Sequence, residues 1–366
     1  MPTSPTSAQL IASTVSAIEG VSDSATTHAR ARQERLTKPP GSLGRLEELA
    51  TRIAGIRGEA RPRLDQRVIV VAAADHGVTQ RGVSAYPAEV TGQMVANFLS
   101  GGAAINVLAD HAGARVRVVD AGVATDTGNH PALEAVRLGR GTADISAGPA
   151  MPRDLAERAL AAGIRIVQEE RAERGLDLVG CGEMGIGNTT SAAAIVAAVT
   201  GRPPSTVTGR GTGIDDATHA RKIEAIEAAL AVNRPDPTDG IGLLATVGGF
   251  EIGVLAGVYL GAAAQRVPAV VDGLISGAAA LIAVAVEPAV RDYLVASHRS
   301  PEPGHGATLE TLGLQPLLEL DLRLGEGSGA ALGMTLCVAA CRLLDEMATF
   351  DEAGVSDSDA VIEPEG

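Results

Sequence analysis

Three glycine-rich loops hold the residues of this chain best suited to chemistry. The first, Gly185-Ile-Gly-Asn-Thr-Thr190, stands directly before the helix-forming run Ser191-Ala-Ala-Ala-Ile-Val. Free backbone N–H groups, a helix dipole and two hydroxyls there make a seat for a phosphate, with Gly185, Gly187, Asn188 and Thr189 as its members. The second, Gly209-Arg-Gly-Thr-Gly213, precedes a helix beginning near Asp215, and Lys222 falls about two turns into that helix. Gly211, Thr212, Gly213 and Lys222 therefore form a second candidate anion seat, although either loop alone also reads as an ordinary capped turn. The third loop is Arg323-Leu-Gly-Glu-Gly-Ser-Gly329, again opening a helix. Glu326 is flanked there by residues that cannot crowd it, and a helix N-terminus favours the ionised carboxylate that a general base needs. A capping role suits the same position.

Other reactive patterns are weaker or missing. Gly180-Cys-Gly-Glu-Met-Gly185 formally matches a dinucleotide fingerprint, but between Met184 and Ile214 the only charges are Arg202 and Arg210. The acid that would hold the ribose diol after the next strand is absent. No G-x-x-x-x-G-K-[ST] loop is present, which disfavours nucleoside triphosphate hydrolysis, and Gly327-Ser328-Gly329 is only a fragment of a serine-hydrolase elbow. The histidines show no metal-ligand spacing; His298 and His305 merely bracket Arg-Ser-Pro-Glu-Pro-Gly.

The elements that must position these loops follow from hydropathy. Short β-branched runs at 68–73, 116–119, 176–179, 267–271 and 293–296 alternate with helical stretches, and a further short strand is expected near 205–208. This reads as βαβ units forming a parallel sheet between about residues 65 and 300, covered by helices on both faces. Carboxylates follow four of the strands: Asp75, Asp120, Glu183 and Asp272. Ligands of such sheets bind outside the carboxyl ends of the strands. Residues 7–60 carry helical periodicity interrupted by Lys38-Pro-Pro-Gly41, and 328–348 form one long apolar helix. The expected organisation is a small helical domain from 1–62 and 328–350, a large α/β domain over 63–327, and a frayed acidic tail over 351–366.

Composition narrows the function. A net charge of −14 repels phosphate backbones and anionic membranes, so neither nucleic acid nor membrane is an expected partner. The 44 glycines stand against six aromatic residues, implying a core of small aliphatics and many close backbone approaches. Three cysteines without a C-x-x-C pair fit a reducing compartment, the N-terminus lacks signal-peptide character, and the charge-free run 90–109 is broken by polar residues and a Gly-Gly pair. A cytoplasmic protein is expected.

Five colinear segments resemble one known family: Lys38-Pro-Pro-Gly-Ser-Leu-Gly-Arg-Leu46, Ala74-Asp-His-Gly-Val78, Gly182-Glu-Met-Gly-Ile-Gly-Asn-Thr-Thr190, Val247-Gly-Gly-Phe-Glu251 and Arg323-Leu-Gly-Glu-Gly-Ser-Gly-Ala-Ala-Leu332. They are similar to nicotinate-nucleotide:dimethylbenzimidazole phosphoribosyltransferases. The resemblance spans about residues 35–348. It implies transfer of phosphoribose from nicotinate mononucleotide to 5,6-dimethylbenzimidazole, giving α-ribazole 5′-phosphate and nicotinate for the lower ligand of cobalamin. It also implies a Rossmann-like domain with a small helical domain, a homodimer, and no cofactor or metal. By position it makes Glu326 the general base, places Glu183 near the ribose, and assigns the two glycine seats and Lys222 to the phosphate. Tyr86, Met94, Met184 and Leu324 match positions lining the base pocket, where family members differ from one another. Two other classes compete: an oxidoreductase using 180–185, and a non-catalytic nucleotide-binding regulator.

Overall fold

The computed structural model describes residues 5–211 and 213–356. Six strands form one parallel sheet: β1 (Arg67–Ala74), β2 (Arg115–Gly122), β3 (Leu133–Ala135), β4 (Leu178–Met184), β5 (Ala269–Val271) and β6 (Leu294–Ala296). Their order is β3-β2-β1-β4-β5-β6, the doubly wound Rossmann-like arrangement. The order reverses between β1 and β4, where the ends of two adjacent strands diverge into opposite crossovers and open a crevice. Ala72 pairs with Glu183 and Ala73 with Met184, so both strands deliver polar loops to the same level.

Burial on both faces explains the strand sequences. All of β1 after Arg67 is buried, which suits a continuous Val/Ile/Ala run rather than an alternating one. The helix Phe250–Ala264 is buried on every side through Ala263, consistent with its uncharged sequence beyond Glu251. It lies against the helix Arg153–Arg174 at backbone distance. A Cβ on Gly163 would come within 1.9 Å of the Val254 carbonyl oxygen, and one on Gly257 within 2.0 Å of the Leu160 carbonyl oxygen. Glycine here replaces the aromatic packing that the sequence lacks.

The chain divides into two compact units, residues 1–19 with 66–334, and residues 20–65 with 335–366. The first helix, Ser7–Ser16, therefore belongs to the large unit and not, as its sequence position suggested, to the small one. It packs on Arg153–Arg174, and the Tyr293 hydroxyl donates to the Glu19 carbonyl at 2.8 Å in the segment that follows. The small unit contains the helices Asp23–Arg35 and Arg45–Arg57. Within it Arg32 donates from Nε to the Leu344 carbonyl at 2.7 Å, and Asp345 pairs with Arg61 and Arg63. Lys38 is buried against Glu47 at 2.8 Å, so its ammonium organises the Pro-Pro elbow.

Two local expectations change, and one strand, β3, was not expected. Residues 205–208 are not a strand: Pro204–Val207 is a helical turn, because Pro204 at its first position presets helical φ. β3 is a three-residue edge strand without β-branched residues. In the segment expected to fray, Phe350–Ala353 is a helical turn with a Thr349/Glu352 capping box, and 357–366 lie outside the described residues.

Candidate active site

β4 carries the first surprise. Gly180, Cys181 and Gly182 lie inside the strand rather than in the loop after it, so the dinucleotide-like pattern has no phosphate loop at its front. These glycines serve a neighbour instead. A Cβ on Gly182 would sit 2.2 Å from the Glu326 carbonyl oxygen, and one on Gly180 would meet Met334 Cε at 2.9 Å. The loop bearing Glu326 is thus laid directly on the strand.

That loop is keyed at each of its glycines. A Cβ on Gly325 would strike Glu183 Oε1 at 2.4 Å, one on Gly327 would meet Ile69 at 2.9 Å, and one on Gly329 would strike His298 Nδ1 at 2.0 Å. Gly325, Glu326 and Gly327 have φ of 85°, 62° and 88°, so a glutamate occupies the left-handed region between two glycines. A non-glycine residue held there costs free energy and persists only where its surroundings over-determine it, a condition concentrated at functional sites. Asp272, at the end of β5, supplies the restraint. Its Oδ1 accepts from the Ala330 amide at 2.9 Å and its Oδ2 from the Gly327 amide at 3.2 Å, capping the helix Ser328–Glu346 from a distant strand.

Glu183 and Glu326 are both buried, and Glu326 Oε2 receives no hydrogen bond. Burial pushes the Glu183 carboxyl up to about 8, with the Asp272, Glu251 and Glu326 charges adding to it and the Asn188 hydrogen bond opposing. Burial also raises Glu326, with the Asp272 charge adding to it and a hydrogen bond from the Ile105 amide opposing. Both carboxyls are thus held above the ordinary glutamate value by burial, Glu183 with an Asn188 donor and Glu326 with one oxygen left without a hydrogen bond.

The two glycine-rich loops that the sequence offers as anion seats lie beside Glu183. Asn188 Nδ2 donates to Glu183 Oε2. Thr189, the next residue, accepts from Lys222 Nζ at 2.8 Å, and the same ammonium donates to the Gly209 carbonyl at 3.3 Å. Lys222 is only 1% exposed; burial lowers it to about 8, opposed by the Glu302 charge, so it stays mostly protonated at neutral pH. Gly187 takes φ of 93° as the cap of the helix Asn188–Thr200, and Gly185 passes so near β1 that a Cβ would meet the Ala74 carbonyl oxygen at 2.3 Å. Gly211 and Gly213 are also left-handed, at 50° and 95°. Arg323 Nη1 donates to the Gly211 carbonyl at 3.3 Å, joining the second seat to the Glu326 loop. Thr212 lies outside the described residues. Hydrogen bonds thus run from Glu183 through Asn188, Thr189 and Lys222 to Gly209, and Arg323 ties Gly211 to the loop that carries Glu326.

The four expected base-pocket residues keep side-chain surface. Tyr86 is 53% and Leu324 58% exposed, while Met94 and Met184 are half-buried. None is a core residue.

Several residues went without a role in the sequence. His76 Nε2 lies 2.7 Å from Glu251 Oε1 and His76 Nδ1 3.0 Å from the Ser191 hydroxyl, a buried bridge joining the end of β1 to the first turns of two helices. Both residues occur in motifs of the resemblance, which was the available signal. Glu302 accepts from the Gly211 amide at 3.0 Å, and the signal there was only the Pro-Glu-Pro loop between two histidines. His298 and His305 have ring centroids 5.8 Å apart, and His305 Nδ1 accepts from the Ser300 amide at 3.0 Å, which fixes its ring structurally. Among the described residues no group of three or more His, Cys, Asp or Glu is placed to hold a metal ion.

The doubly wound sheet brings glycine-rich loops and two buried carboxyls to its switch point, and comparison gives the class, a phosphoribosyltransferase: residues 18–355 match the model of the phosphoribosyltransferase family DBI_PRT. The chain belongs to this family. The nicotinate-nucleotide–dimethylbenzimidazole phosphoribosyltransferase of Chloroflexus aggregans is 62% identical over 348 residues, covering 95% of this chain and 98% of that protein. The protein of the same name from Geobacter sulfurreducens is 56% identical over 331 residues, covering 90% of this chain and 94% of its own length. The crystal structure of CobT from Thermus thermophilus superposes with a TM-score of 0.88 at 50% identity, covering 92% of this chain and 100% of that one.

Proposed function

We propose that this chain transfers phosphoribose from nicotinate mononucleotide to 5,6-dimethylbenzimidazole, forming α-ribazole 5′-phosphate and nicotinate for the lower ligand of cobalamin. The observation that carries the reading is Glu326: a buried carboxylate in left-handed backbone, one oxygen unpartnered, built against Glu183 and so joined to the anion seats. In the reaction one ring nitrogen of the benzimidazole attacks C1′ of the ribose while the bond from C1′ to the pyridinium nitrogen breaks. The departing nicotinate keeps that electron pair, which neutralises its ring, so no strong acid is needed. Glu326 takes the N–H proton from the other azole nitrogen. Attack on the face opposite the leaving group turns the β linkage into an α linkage.

The phosphate lies on Gly185, Gly187, Asn188 and Thr189 on one side and on Gly211, Gly213 and Lys222 on the other, which fixes the sugar for in-line displacement. Glu183 faces the sugar as the glycosidic bond opens; the positive charge of the bound nucleotide favours its ionised form, with any proton it held released to water on binding, and the carboxylate stabilises the cationic sugar. Tyr86, Met94, Met184 and Leu324 line the slot for the flat base. The enzyme works as a cytoplasmic homodimer. One helix among the described residues, Ser328–Glu346, is long and apolar enough to cross a membrane, and more than half of it is buried within the chain.

The test is a product assay with nicotinate mononucleotide and a panel of bases resolved by mass. Nicotinate release that requires the benzimidazole, with α-ribazole phosphate as co-product, is the expected result. Nucleotide binding without product under any base would replace this reading with a regulatory one.

A further inference from the structure

We infer that Glu302 is the ribose-recognising carboxylate of this site, an inference that rests on the phosphoribosyl-transfer reading. Glu302 stands after β6, immediately before the helix Pro303–Leu312. Its two oxygens are unequal. Oε1 accepts from the Gly211 amide at 3.0 Å, whereas Oε2 is buried and receives no hydrogen bond. The carboxylate lies flat on the second seat, where a Cβ on Gly209 would come within 1.9 Å of Oε2. Lys222 faces it electrostatically but directs its hydrogen bonds to Thr189 and the Gly209 carbonyl.

A carboxylate beside a phosphate seat repels the ligand that the seat is built for. Its presence is understandable if the same ligand brings hydrogen-bond donors to the free oxygen. A nucleotide monophosphate has such donors one sugar ring from its phosphate, in the vicinal 2′ and 3′ hydroxyls, and an acidic side chain is the usual acceptor for them in doubly wound nucleotide sites. In this chain the acid missing after Gly180–Gly185 is supplied from the far edge of the same half of the sheet, past β6. Oε1 holds the loop while Oε2 receives a ribose hydroxyl, so phosphate and sugar are read by one brace.

The experiment compares nicotinate mononucleotide with its 2′-deoxy and 3′-deoxy analogues on the wild-type chain, Glu302→Ala and Glu302→Gln. Turnover is measured at saturating dimethylbenzimidazole, and nucleotide binding separately by calorimetry. The wild type is expected to prefer the ribonucleotide over at least one analogue by about 10- to 100-fold, the range of one hydrogen bond to a charged group. Both variants should shrink that preference to within about threefold, through higher KM for the ribonucleotide rather than through kcat. Glutamine keeps an acceptor for the Gly211 amide, so it preserves the loop should alanine fail to fold. A wild type indifferent to both deletions overturns the assignment, as does a variant that weakens ribo and deoxy substrates equally, since that is the mark of a purely structural brace. If the wild type forms no product with any base, phosphoribosyl transfer is what fails, and the calorimetric preference alone decides the fate of Glu302.

Discussion

The β1–β2 side of the sheet and the β4–β5 side both end in buried carboxylates, but they use them differently. Asp75 accepts from the Thr91 hydroxyl at 2.6 Å and the Ala124 amide at 2.8 Å, and Asp120 from the Val123 amide, the Thr127 hydroxyl and Arg137. Each ties down the loop that follows β2. On the other side Asp272 is equally saturated, while Glu183 and Glu326 are not. Glu183 has one side-chain donor in Asn188, and Glu326 leaves an oxygen bare. Saturation with backbone amides marks a carboxylate that holds structure; a buried one left short of donors is kept for a reactant.

The sharpest test of this contrast is Glu326→Gln. It should lower kcat by about 10²- to 10⁴-fold, the usual worth of a positioned base, with KM for nicotinate mononucleotide within a few-fold of wild type; steady-state kinetics would show it, and a retained kcat would erase the distinction. Next in size is Asp272→Ala, which releases the amides of Gly327 and Ala330 and lets the Glu326 loop drift. A displacement of about 1 Å can cost 10²-fold in rate, so kcat should fall by roughly that factor, accompanied by a lower unfolding midpoint in a thermal melt.

A smaller effect is expected in the pH profile. The base must be ionised to act, so kcat falls as pH drops through its pKa, by about tenfold per unit well below it. Because burial raises Glu326, that limb should lie above the ordinary glutamate value of 4.5 and vanish in Glu326→Gln. Smallest of all is Asp120→Asn. It should leave kcat within about twofold and cost about 1–3 kcal/mol of stability in denaturant titration, because its bonds stay on its own side of the sheet. A large rate loss there would break the comparison.

The sheet was legible because fully buried parallel strands announce themselves as β-branched runs. The end of β4 was not, since Gly180 and Gly182 look like a loop until the neighbour pressing on them is seen. The three glycine loops were legible for the same chemical reason that they function: left-handed φ and close approach need that residue type. Partnerships across the sequence left no local trace. Asp272 capping a helix 58 residues on, and His76 meeting Glu251 at a separation of 175 residues, exist only once the strands are ordered. Glu302 was hidden in the same way, in a Pro-Glu-Pro loop between two histidines without metal-ligand spacing.

The glycine seam between Arg153–Arg174 and Phe250–Ala264 reaches further than packing. Glu251, the partner of His76, rides on the first turn of the second of these helices. A single methyl group added at position 163 or 257 would wedge the helix pair apart and tilt that turn, carrying the change through Glu251 and His76 to Ser191 in the first turn of the helix Asn188–Thr200. Inherited or engineered damage to this enzyme can therefore begin at residues that never approach a substrate.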